Sequence, residues 1–346
     1  MKYVGLDVGK SWIFVCILNA QGKVVKETKV RNDGHEVFAL LRRFERPLAV
    51  CYEASCGYGP LYDGLRRIAG HVKVAHPGAL RLIFKSKRKN DRVDAKKLAT
   101  LLFLDQVPCI HVPHERIRGW RRMIEFRNRQ VQDRTRLKNR LRSLCRSNGI
   151  MLPVRQRLWT KQGMATLSTI EFPTPAATLE RDITLDDLNR CEQQIKRVEK
   201  ELNAIARESS AVNLLRTIPG VGPRTAEAFV AYVDQPARFR SVKQVAAYFG
   251  LVPSQDQSGD RNRLGHITRE GPPLARRLLT EAAWQGIRRS PRIRERFERF
   301  CGGEKKNRKI ALVATAHYLL RVMFSMWRSW AAWSEDGGLR NAKRVA

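Results

Sequence analysis

Four carboxylates in this sequence have the residue type and the positions for metal-ion chemistry. Asp7 ends a short β-rich run in GLDVGK, and Glu53 ends a buried-type run in CYEASCGYG. If those two strands are parallel neighbours, both carboxylates lie at the same edge of the sheet. Asp91 and Asp94 in KNDRVDAKKLA are three residues apart, so a helix places them on one face.

Converging carboxylates need cations between them, because like charges at short range cannot all remain ionised. Oxygen ligands favour Mg²⁺ or Mn²⁺, and a carboxylate site with two such ions is a standard device for cleaving phosphodiesters. In the structural alternative, Asp7 and Glu53 cap turns, while Asp91 and Asp94 begin a helix whose macrodipole favours acids there. The occurrence of all four in one chain favours the metal site.

The composition predicts a polyanionic partner. The 346 residues contain 66 Lys and Arg against 33 Asp and Glu, a formal net charge of +33. The surplus lies on both sides of a nearly neutral stretch from 151 to 250, which indicates folded basic faces rather than a basic tail. With 43% hydrophobic residues the chain can build a core, so a wholly disordered protein is excluded.

Other protein classes are disfavoured by the cysteines and the apolar runs. Seven cysteines, with no C-x-x-C pair, indicate a reduced setting and argue against a zinc cluster or a disulfide framework. The apolar run 310–333 contains His317, Arg321 and Arg328, which makes it too short and too charged for a membrane span. The start MKYVGLDVGK lacks the pattern of a signal peptide. We therefore expect a cytoplasmic, nucleoid-associated protein with no membrane partner.

The pattern of elements places the four acids in an α/β fold. Residues 3–75 predict three strands, a helix, a strand, a helix and a strand, so that a later strand can lie parallel beside the first. A long basic helix is predicted over 114–148. The capping pattern Thr184-x-x-Asp187 then opens a heptad seam, which predicts a helical hairpin or an inter-subunit coil, with a bundle helix as the alternative. The seam positions are Leu188, Cys191, Ile195, Val198, Leu202 and Ile205.

Two further segments could contact nucleic acid. Residues 214–233, LLRTIPGVGPRTAEAFVAYV, have the helix-hairpin-helix pattern, in which Gly220 and Gly222 let backbone N–H groups approach a phosphate. Glycine turns between helices also serve packing alone, and that alternative stays open. Residues 255–269 predict a polar loop before a basic helix that begins near Pro273.

Five of these motifs together resemble one protein family. In chain order they are GLDVGK, YEAS, KNDRVDAKKLA, IPGVGPRTA and AAYFGLVPSQDQSG. They resemble the bridge-RNA-guided DEDD transposases of bacterial insertion sequences, the insertion-sequence-110 family. The resemblance implies a RuvC-like domain with the RNase H fold over 1–110. It also implies a basic helix and coiled-coil connector over 111–209, and a mainly helical transposase domain with a helix-hairpin-helix element over 210–346.

The resemblance also implies which residues form the site. The family's four acids, which would bind Mg²⁺, fall on Asp7, Glu53, Asp91 and Asp94. Its nucleophilic serine falls on Ser258, which no sequence rule alone distinguishes from Ser254. A hydroxyl beside Arg261 and Arg263 could attack phosphorus, with the guanidinium groups and a metal ion stabilising the charge. His266 lies close in sequence and is a weaker candidate for a base.

The activity implied by the resemblance is RNA-guided recombination. Each cleavage would leave a 5′-phosphoserine link and a free 3′-hydroxyl, which attacks the partner's phosphoserine. A non-coding bridge RNA would select donor and target DNA by base pairing, while the protein reads backbone and shape. The family implies a tetramer in which the RuvC-like domain of one subunit meets the serine loop of another. Candidate nucleic-acid contacts are Lys87, Arg88, Gly220, Gly222, Arg224, Arg261, Arg263, Arg276 and Arg277.

Two other functions stay open at this point. A metal-dependent nuclease of the Holliday-junction-resolvase type would use water as the nucleophile, and Ser258 would be incidental. A non-catalytic RNA-binding or chromatin-like protein would need none of the four acids. A covalent protein–DNA adduct separates the recombinase from the nuclease, and the substitutions Asp7→Asn and Glu53→Gln separate both enzymes from the binding protein.

Overall fold

The chain forms two compact units, Met1–Arg118 and Gly119–Ala346. The computed structural model describes residues 1–55, 57–84, 90–152, 157–259, 261–303 and 307–336. The first unit is mixed α/β and the second is mostly helical, which confirms the predicted fold class at that level. The finer division at residues 110 and 209 stays a prediction.

A five-stranded sheet is the framework of the first unit. Its strands are β1 Lys2–Val8, β2 Trp12–Leu18, β3 Val24–Arg31, β4 Leu48–Glu53 and β5 His71–Ala75. Their order across the sheet is β3-β2-β1-β4-β5. The first three strands are antiparallel to one another, whereas β4 lies parallel to β1 and β5 parallel to β4. This confirms the prediction that a later strand lies parallel beside the first.

Helices cover both faces of this sheet. They are α1 Glu36–Arg42, α2 Tyr58–Arg66, α3 Pro77–Ile83 and α4 Asp91–Phe103. Successive side chains of a strand point to opposite faces. Leu6 and Tyr52 are therefore buried with α1 and α2 on one face, while Cys51 is buried with α3 and α4 on the other. Because of this alternation, the position of a polar residue at the end of a strand determines the face of the sheet on which its side chain lies.

The second unit consists of helices and one β-hairpin. The helices are α5 Glu115–Ser147, α6 Lys161–Thr169, α7 Pro175–Glu208, α8 Ser210–Leu215, α9 Pro223–Val233, α10 Val242–Tyr248, α11 Pro273–Arg289, α12 Pro291–Cys301 and α13 Arg308–Ser329, with a short 3₁₀ turn at Pro236–Arg238. The hairpin strands are β6 Pro253–Ser258 and β7 Arg261–Ile267. Phe229, Phe249 and Phe324 are fully buried in the core formed by the C-terminal helices.

The predicted heptad seam lies on α7, which starts earlier than predicted. Thr174 caps the helix by accepting a hydrogen bond from the Ala177 N–H at 3.2 Å. Thr184 is instead buried inside the helix, where its hydroxyl donates to the Glu180 carbonyl at 2.7 Å. The capping prediction was wrong because a β-branched polar residue within a helix can satisfy its hydroxyl on the preceding turn.

The helix α7 lies against α5 of the same chain, where the Cys191 Sγ of the seam donates to the Gln130 carbonyl at 3.2 Å. The Arg127 Nε lies 2.9 Å from the Glu199 Oε1, and the Lys138 Nζ lies 3.4 Å from the Glu192 Oε1. Glu192 of α7 pairs with Lys138 of α5, whereas the later Glu199 pairs with the earlier Arg127. The two helices are therefore antiparallel. Within the chain α7 thus pairs with α5 as a helical hairpin, and the inter-subunit coil stays a prediction.

The long apolar helix α13 is a core element of the second unit. By length and composition it could cross a membrane, so the expectation that this run is too short and too charged was wrong on that criterion. Half of the most apolar stretch of this helix is buried, and the helix packs against α11 and α12. Its buried residues include Leu319, Leu320, Met323 and Phe324. A mostly apolar helix of this kind is typical of a globular core.

Candidate active site

An open cleft of about 680 Å³ lies at the carboxyl ends of β1 and β4. All four predicted acids line it: Asp7, Glu53, Asp91 and Asp94. Two basic side chains, Arg81 and Lys97, also line the cleft, together with Phe84 and Leu98. The structure thus brings together residues that are up to eighty-seven positions apart in the chain, as the sequence analysis predicted.

Strand register explains why two of the acids are neighbours. Gly5 pairs with Cys51, and Leu6 pairs with Tyr52, in the parallel ladder between β1 and β4. The next position in the same register is Asp7 on β1 and Glu53 on β4. Because Leu6 and Tyr52 point into the core beneath α1 and α2, the two acids that follow them project on the opposite face. That is the face covered by α4.

Close packing of α4 on the sheet brings the other two acids to the cleft. A Cβ atom at Gly5 would lie 2.0 Å from the Ala95 carbonyl oxygen and 2.4 Å from the Ala99 nitrogen. Only glycine therefore allows this approach of helix and strand. The helix begins at Asp91 after the cap Asn90, whose side chain accepts from the Arg92 N–H. Its first turn, which contains Asp91 and Asp94, consequently lies at the cleft.

The donor set fits a divalent cation, although its geometry is not preassembled. Carboxylate oxygens are the ligands that Mg²⁺ and Mn²⁺ prefer. Within the described ranges, no three His, Cys, Asp or Glu side chains are close enough to form a ready metal cluster. The Asp94 Oδ1 accepts a 2.9 Å hydrogen bond from the Lys97 Nζ, which also lies 5.2 Å from the Phe84 ring centre. An ion that takes the Asp94 Oδ1 as a ligand would compete with Lys97 for that oxygen.

The predicted serine lies on a β-hairpin rather than in a loop. β6 and β7 pair antiparallel, with Ser258 directly opposite Arg261. The prediction of a polar loop over 255–269 was wrong. Strands are usually predicted from an alternation of apolar and polar residues, which this segment lacks. Here every described residue from Pro253 to His266 is exposed, so neither face of the hairpin requires apolar residues.

The two faces of the hairpin differ in chemistry. Asp256 pairs with Arg263, so these two residues share a face with Ser258 and Arg261. Side chains of directly opposed residues have Cβ atoms roughly 5 Å apart, so the Arg261 guanidinium is within reach of a group bound at the Ser258 hydroxyl. The other face contains amides: the Gln255 side chain donates to Gln257 at 3.1 Å and to Asn262 at 3.0 Å.

The hairpin geometry separates Ser258 from two other candidates. Ser254 lies near the open end of the hairpin, where its Oγ would be 2.5 Å from a Cβ at Gly265. His266 lies five residues along β7 from Arg261, roughly 17 Å at the usual strand rise. Neither shares the tip of the hairpin with Ser258. Within this hairpin His266 is too far from Ser258 to serve as its base.

Comparison with known proteins identifies the family. Residues 4–147 match a model of the DEDD transposases of the IS110 type. Residues 212–298 match the model described as "Transposase IS116/IS110/IS902 family". The chain belongs to the IS110/IS116/IS902 family of transposases. As such it is an enzyme that cleaves DNA and transfers DNA strands.

Curated transposases resemble this transposase over most of its length. A "Probable family 20 transposase" of Pseudomonas aeruginosa is 27% identical over 334 residues, which are 94% of this chain and 96% of the relative. The "Transposase for insertion sequence element IS1111A" of Coxiella burnetii is 25% identical over 284 residues, or 82% and 77% of the two chains. The "Transposase for insertion sequence element IS1328" of Yersinia enterocolitica is 23% identical over 340 residues, or 92% and 94%.

One matched region contains the acidic cleft and the other contains the hairpin. The DEDD match includes all four acids of the cleft, which indicates dependence on a divalent metal. The second match includes the whole hairpin and therefore Ser258. The assignment of individual residues to metal binding and catalysis stays a prediction.

The turn before α9 has a packing role in this transposase. A Cβ atom at Gly220, whose φ is +94°, would lie 2.4 Å from the Gly286 nitrogen on α11. The packing alternative therefore accounts for Gly220. A Cβ at Gly222 would meet nothing within 4 Å, so the start of α9 is open there. Phosphate contact at this helix-hairpin-helix element stays a prediction.

The predicted basic contacts of the second unit differ in their surroundings. Arg224 forms an ion pair with the buried Glu227 at 2.9 Å and is mostly buried. The Arg276 Nη1 donates to the Phe249 carbonyl at 3.2 Å, a contact that secures a loop. Arg277 hydrogen-bonds the Asn128 side chain. By contrast Arg261 and Arg263 are exposed on the hairpin, and Lys87 and Arg88 lie outside the described residues.

Sequence reasoning missed three residues of the first unit that shape the site. Lys97 was detectable from its spacing, since a Lys three residues after an acid on a helix commonly pairs with it. Gly5 was not detectable, because a glycine within a strand does not reveal which helix approaches it. Arg81, from α3, lines the cleft only through the tertiary fold.

Proposed function

We propose that this transposase is an RNA-guided recombinase that cleaves and exchanges donor and target DNA strands through a 5′-phosphoserine at Ser258. The observation that carries the proposal is the hairpin face: Ser258 lies at an exposed tip, on the same side as Arg261 and Arg263. A nucleophilic hydroxyl flanked by two guanidinium groups suits attack on a phosphodiester, whose transition state gains negative charge.

The proposed exchange conserves phosphodiester bonds. The Ser258 Oγ forms a bond to phosphorus and loses its proton, while the bond from phosphorus to the 3′-oxygen breaks and that oxygen takes up a proton. The 3′-hydroxyl of the partner strand then attacks the phosphoserine, and the serine hydroxyl is restored. Because each bond broken is replaced by one of similar energy, the reaction needs no external energy source.

The acidic cleft would hold the divalent cation, Mg²⁺ or Mn²⁺. We infer that the first unit has a RuvC-like, RNase H type of fold, and that Asp7, Glu53, Asp91 and Asp94 are the ligands. The metal supplies Lewis-acid stabilisation of phosphate charge and favours the ionised nucleophile. Lys97 holds Asp94 before the metal binds and is then available to a phosphate oxygen.

Guidance by a bridge RNA and assembly as a tetramer complete the proposal. The net charge of +33 suits a chain that holds RNA and DNA backbones together, and aromatic residues are only 8% of the composition. In the proposed dimer of dimers, the hairpin of one subunit acts at the cleft of another.

A denaturing gel tests the nucleophile. Full-length transposase, the RNA that co-purifies with it, Mg²⁺ and end-labelled element–flank DNA should give a protein-linked DNA band. Ser258→Ala should abolish the band, because no other hydroxyl occupies the tip of the hairpin. Ser254→Ala is the matched control, since it removes a hydroxyl from the same strand, and it should leave the band intact.

Cleavage without a protein-linked band would identify water as the nucleophile. Free cleaved DNA without an adduct, at the same rate in Ser258→Ala as in the wild type, would support the resolvase-like nuclease and contradict the phosphoserine. Loss of the band in both serine variants would point to a general defect of the hairpin rather than to the nucleophile.

A further inference from the structure

We propose that Trp12, Lys29 and Arg31 form a binding surface for the DNA strand that leaves the acidic cleft, with Trp12 stacking on a base and the two basic residues binding phosphates. We call these three residues the Trp12 surface. The inference rests on the proposed function, since it takes the cleft as the place where the strand is cleaved. It assigns positioning residues to the first unit that none of the sequence motifs includes.

Strand register places this surface beside the catalytic acid. Asp7 on β1 pairs with Phe14 on β2, and Phe14 pairs with Lys29 on β3. One step along the strands on the same face, Trp12 pairs with Arg31. All five side chains project on the face of the sheet that α4 covers further along, because paired residues share a face. The Trp12 surface therefore continues the cleft across the sheet.

The spacing suits a short stretch of nucleic acid. Neighbouring strands are about 4.8 Å apart, so the backbones at Asp7 and Lys29, two strands apart, are separated by roughly 10 Å. Successive phosphates of a B-form strand advance about 3.4 Å along the axis. At that rise, a phosphate at the cleft and the phosphate bound by Lys29 would be about three nucleotides apart. The base on Trp12, whose ring lies against Lys29, would belong to a neighbouring nucleotide.

The indole is exposed and already has a cation against it. Trp12 is 41% exposed, and the Lys29 Nζ lies 4.8 Å from its ring centre. An ammonium group over an indole is a cation–π contact that orients the ring. A base can replace the ammonium on the ring while Lys29 moves to the adjacent phosphate. Stacking on an exposed aromatic ring beside basic residues is a common way to bind unpaired nucleotides.

Hydrogen bonds hold the turn that presents Trp12. The Gly9 N–H donates to the Trp12 carbonyl at 2.9 Å, and the Asn32 side-chain amide donates to the Gly9 carbonyl at 2.8 Å. The Asn32 N–H donates to the Ser11 carbonyl at 3.0 Å. Val8 and Gly9 from the same turn also line the cleft. The backbone therefore connects the cleft and the indole without an intervening flexible segment.

The charge of the surface fits a polyanion. Lys10, Lys29 and Arg31 are all exposed. The acid on this side of β3, Glu27, is bonded by the Arg92 guanidinium, whose Nε lies 2.7 Å from its carboxylate. The positive charges that remain favour a phosphate backbone over a neutral apolar partner.

Base stacking can be measured with 2-aminopurine, whose fluorescence falls when it stacks on an aromatic ring. The probe is placed singly at each of the six nucleotides on either side of the scissile phosphate of the element–flank DNA. The protein is full-length Ser258→Ala transposase with its co-purified RNA, so that the DNA stays uncleaved. We expect quenching two to four nucleotides from the scissile phosphate on one side.

Further substitutions in that protein assign the quenching to a residue. Trp12→Ala should restore the fluorescence at those positions at least twofold, and Trp12→Phe should retain part of the quenching. Trp330→Ala removes an equally exposed indole from the second unit and should change nothing. Lys29→Gln should lower the slope of log affinity against log salt by roughly 0.7, the value for one single-strand phosphate contact.

The outcomes separate this inference from the proposed function. Unchanged quenching in Trp12→Ala would overturn the Trp12 surface, whatever the adduct assay shows. Loss of self-association in Trp12→Ala, with quenching retained, would also overturn it and identify a protein interface. The phosphoserine is tested independently, because stacking is measured in a protein that lacks Ser258.

Discussion

At the scale of single residues, the positions of the candidate catalytic acids depend on the register of the strands more than on side-chain packing. Asp7 and Glu53 meet because they occupy the same step of a parallel ladder, and both follow a buried residue. Asp94 lies one turn into α4, where its Oδ1 accepts a hydrogen bond from the Lys97 Nζ. The fold therefore brings the four acids to one cleft, and their role as metal ligands stays a prediction.

Substitution of one acid tests metal binding without DNA. In wild-type protein, Mn²⁺ at ten times its dissociation constant should raise the melting temperature of the first unit by roughly 4–8 °C, because the ion binds the folded state. Asp7→Asn should remove most of that increase, since it replaces a charged ligand by an amide. Differential scanning calorimetry with and without Mn²⁺ measures the effect.

An acid outside the cleft provides the control for this experiment. Asp105 is exposed and ion-paired with Lys73 in the same unit. Asp105→Asn should retain the full response to Mn²⁺. A response of equal size in Asp7→Asn and wild type would show that the cleft is not the metal site.

At the scale of elements, the placement of the site depends on how closely α4 approaches the sheet. The helix lies against β1 and β2, and Gly5 is the point of closest approach. Ala95 and Ala99 are the helix residues at this contact, and both are buried. Small residues on both partners let the first turn of α4, with two of the acids, remain beside the other two.

Enlarging Gly5 should separate the helix from the sheet. Gly5→Ala places a Cβ against backbone atoms that cannot move aside, and overpacking of this kind costs about 1–3 kcal/mol or more. We expect a lower melting temperature of the first unit together with a loss of the Mn²⁺ response. Gly70→Ala is the control, since its Cβ would meet only the Leu48 oxygen at 3.8 Å. Wild-type metal response in Gly5→Ala would contradict the role of this contact.

The spacing of apolar residues predicted strands and helices correctly where an element buries one of its faces. The strands and helices of the first unit were predictable, because alternation and helical spacing of apolar residues follow from one buried face. The hairpin β6–β7 escaped prediction because it has no buried face, and the start of α7 was misplaced because Thr184 resembles a cap. For the site, the meeting of Asp7 and Glu53 could be predicted from parallel strands, whereas Gly5 and Arg81 required the tertiary fold.

At the scale of the whole molecule, the excess positive charge coexists with a buried acid in the second unit. Burial raises the pKa of Glu227 to about 7, although Arg224, Arg127 and Arg216 favour its charged form. The Arg224 Nη2 lies 2.9 Å from its Oε1, but among the described residues no donor has the geometry of a hydrogen bond to either oxygen. The folded protein thus holds a proton on Glu227 that the unfolded chain releases near pH 4.5.

This proton predicts how stability changes with pH. Because the folded state binds more protons between pH 4.5 and 7, the free energy of unfolding should fall as the pH rises through that range. The melting temperature of the second unit should decline by roughly 5 °C between pH 5 and pH 8. Glu227→Gln should show a smaller decline in the same calorimetric series. An equal decline in both proteins would contradict the raised pKa.

DNA should become covalently attached to Ser258, and mass spectrometry of the adduct tests this attachment most directly. Trypsin cuts after Lys243 and Arg261, so both candidate serines lie on one peptide, 244–261. After nuclease treatment of the adduct, fragmentation of that peptide locates the remaining nucleotide. We expect a phosphodiester-linked nucleotide on Ser258. A nucleotide on Ser254, or cleaved DNA with a free 5′-phosphate and no modified peptide, would contradict it.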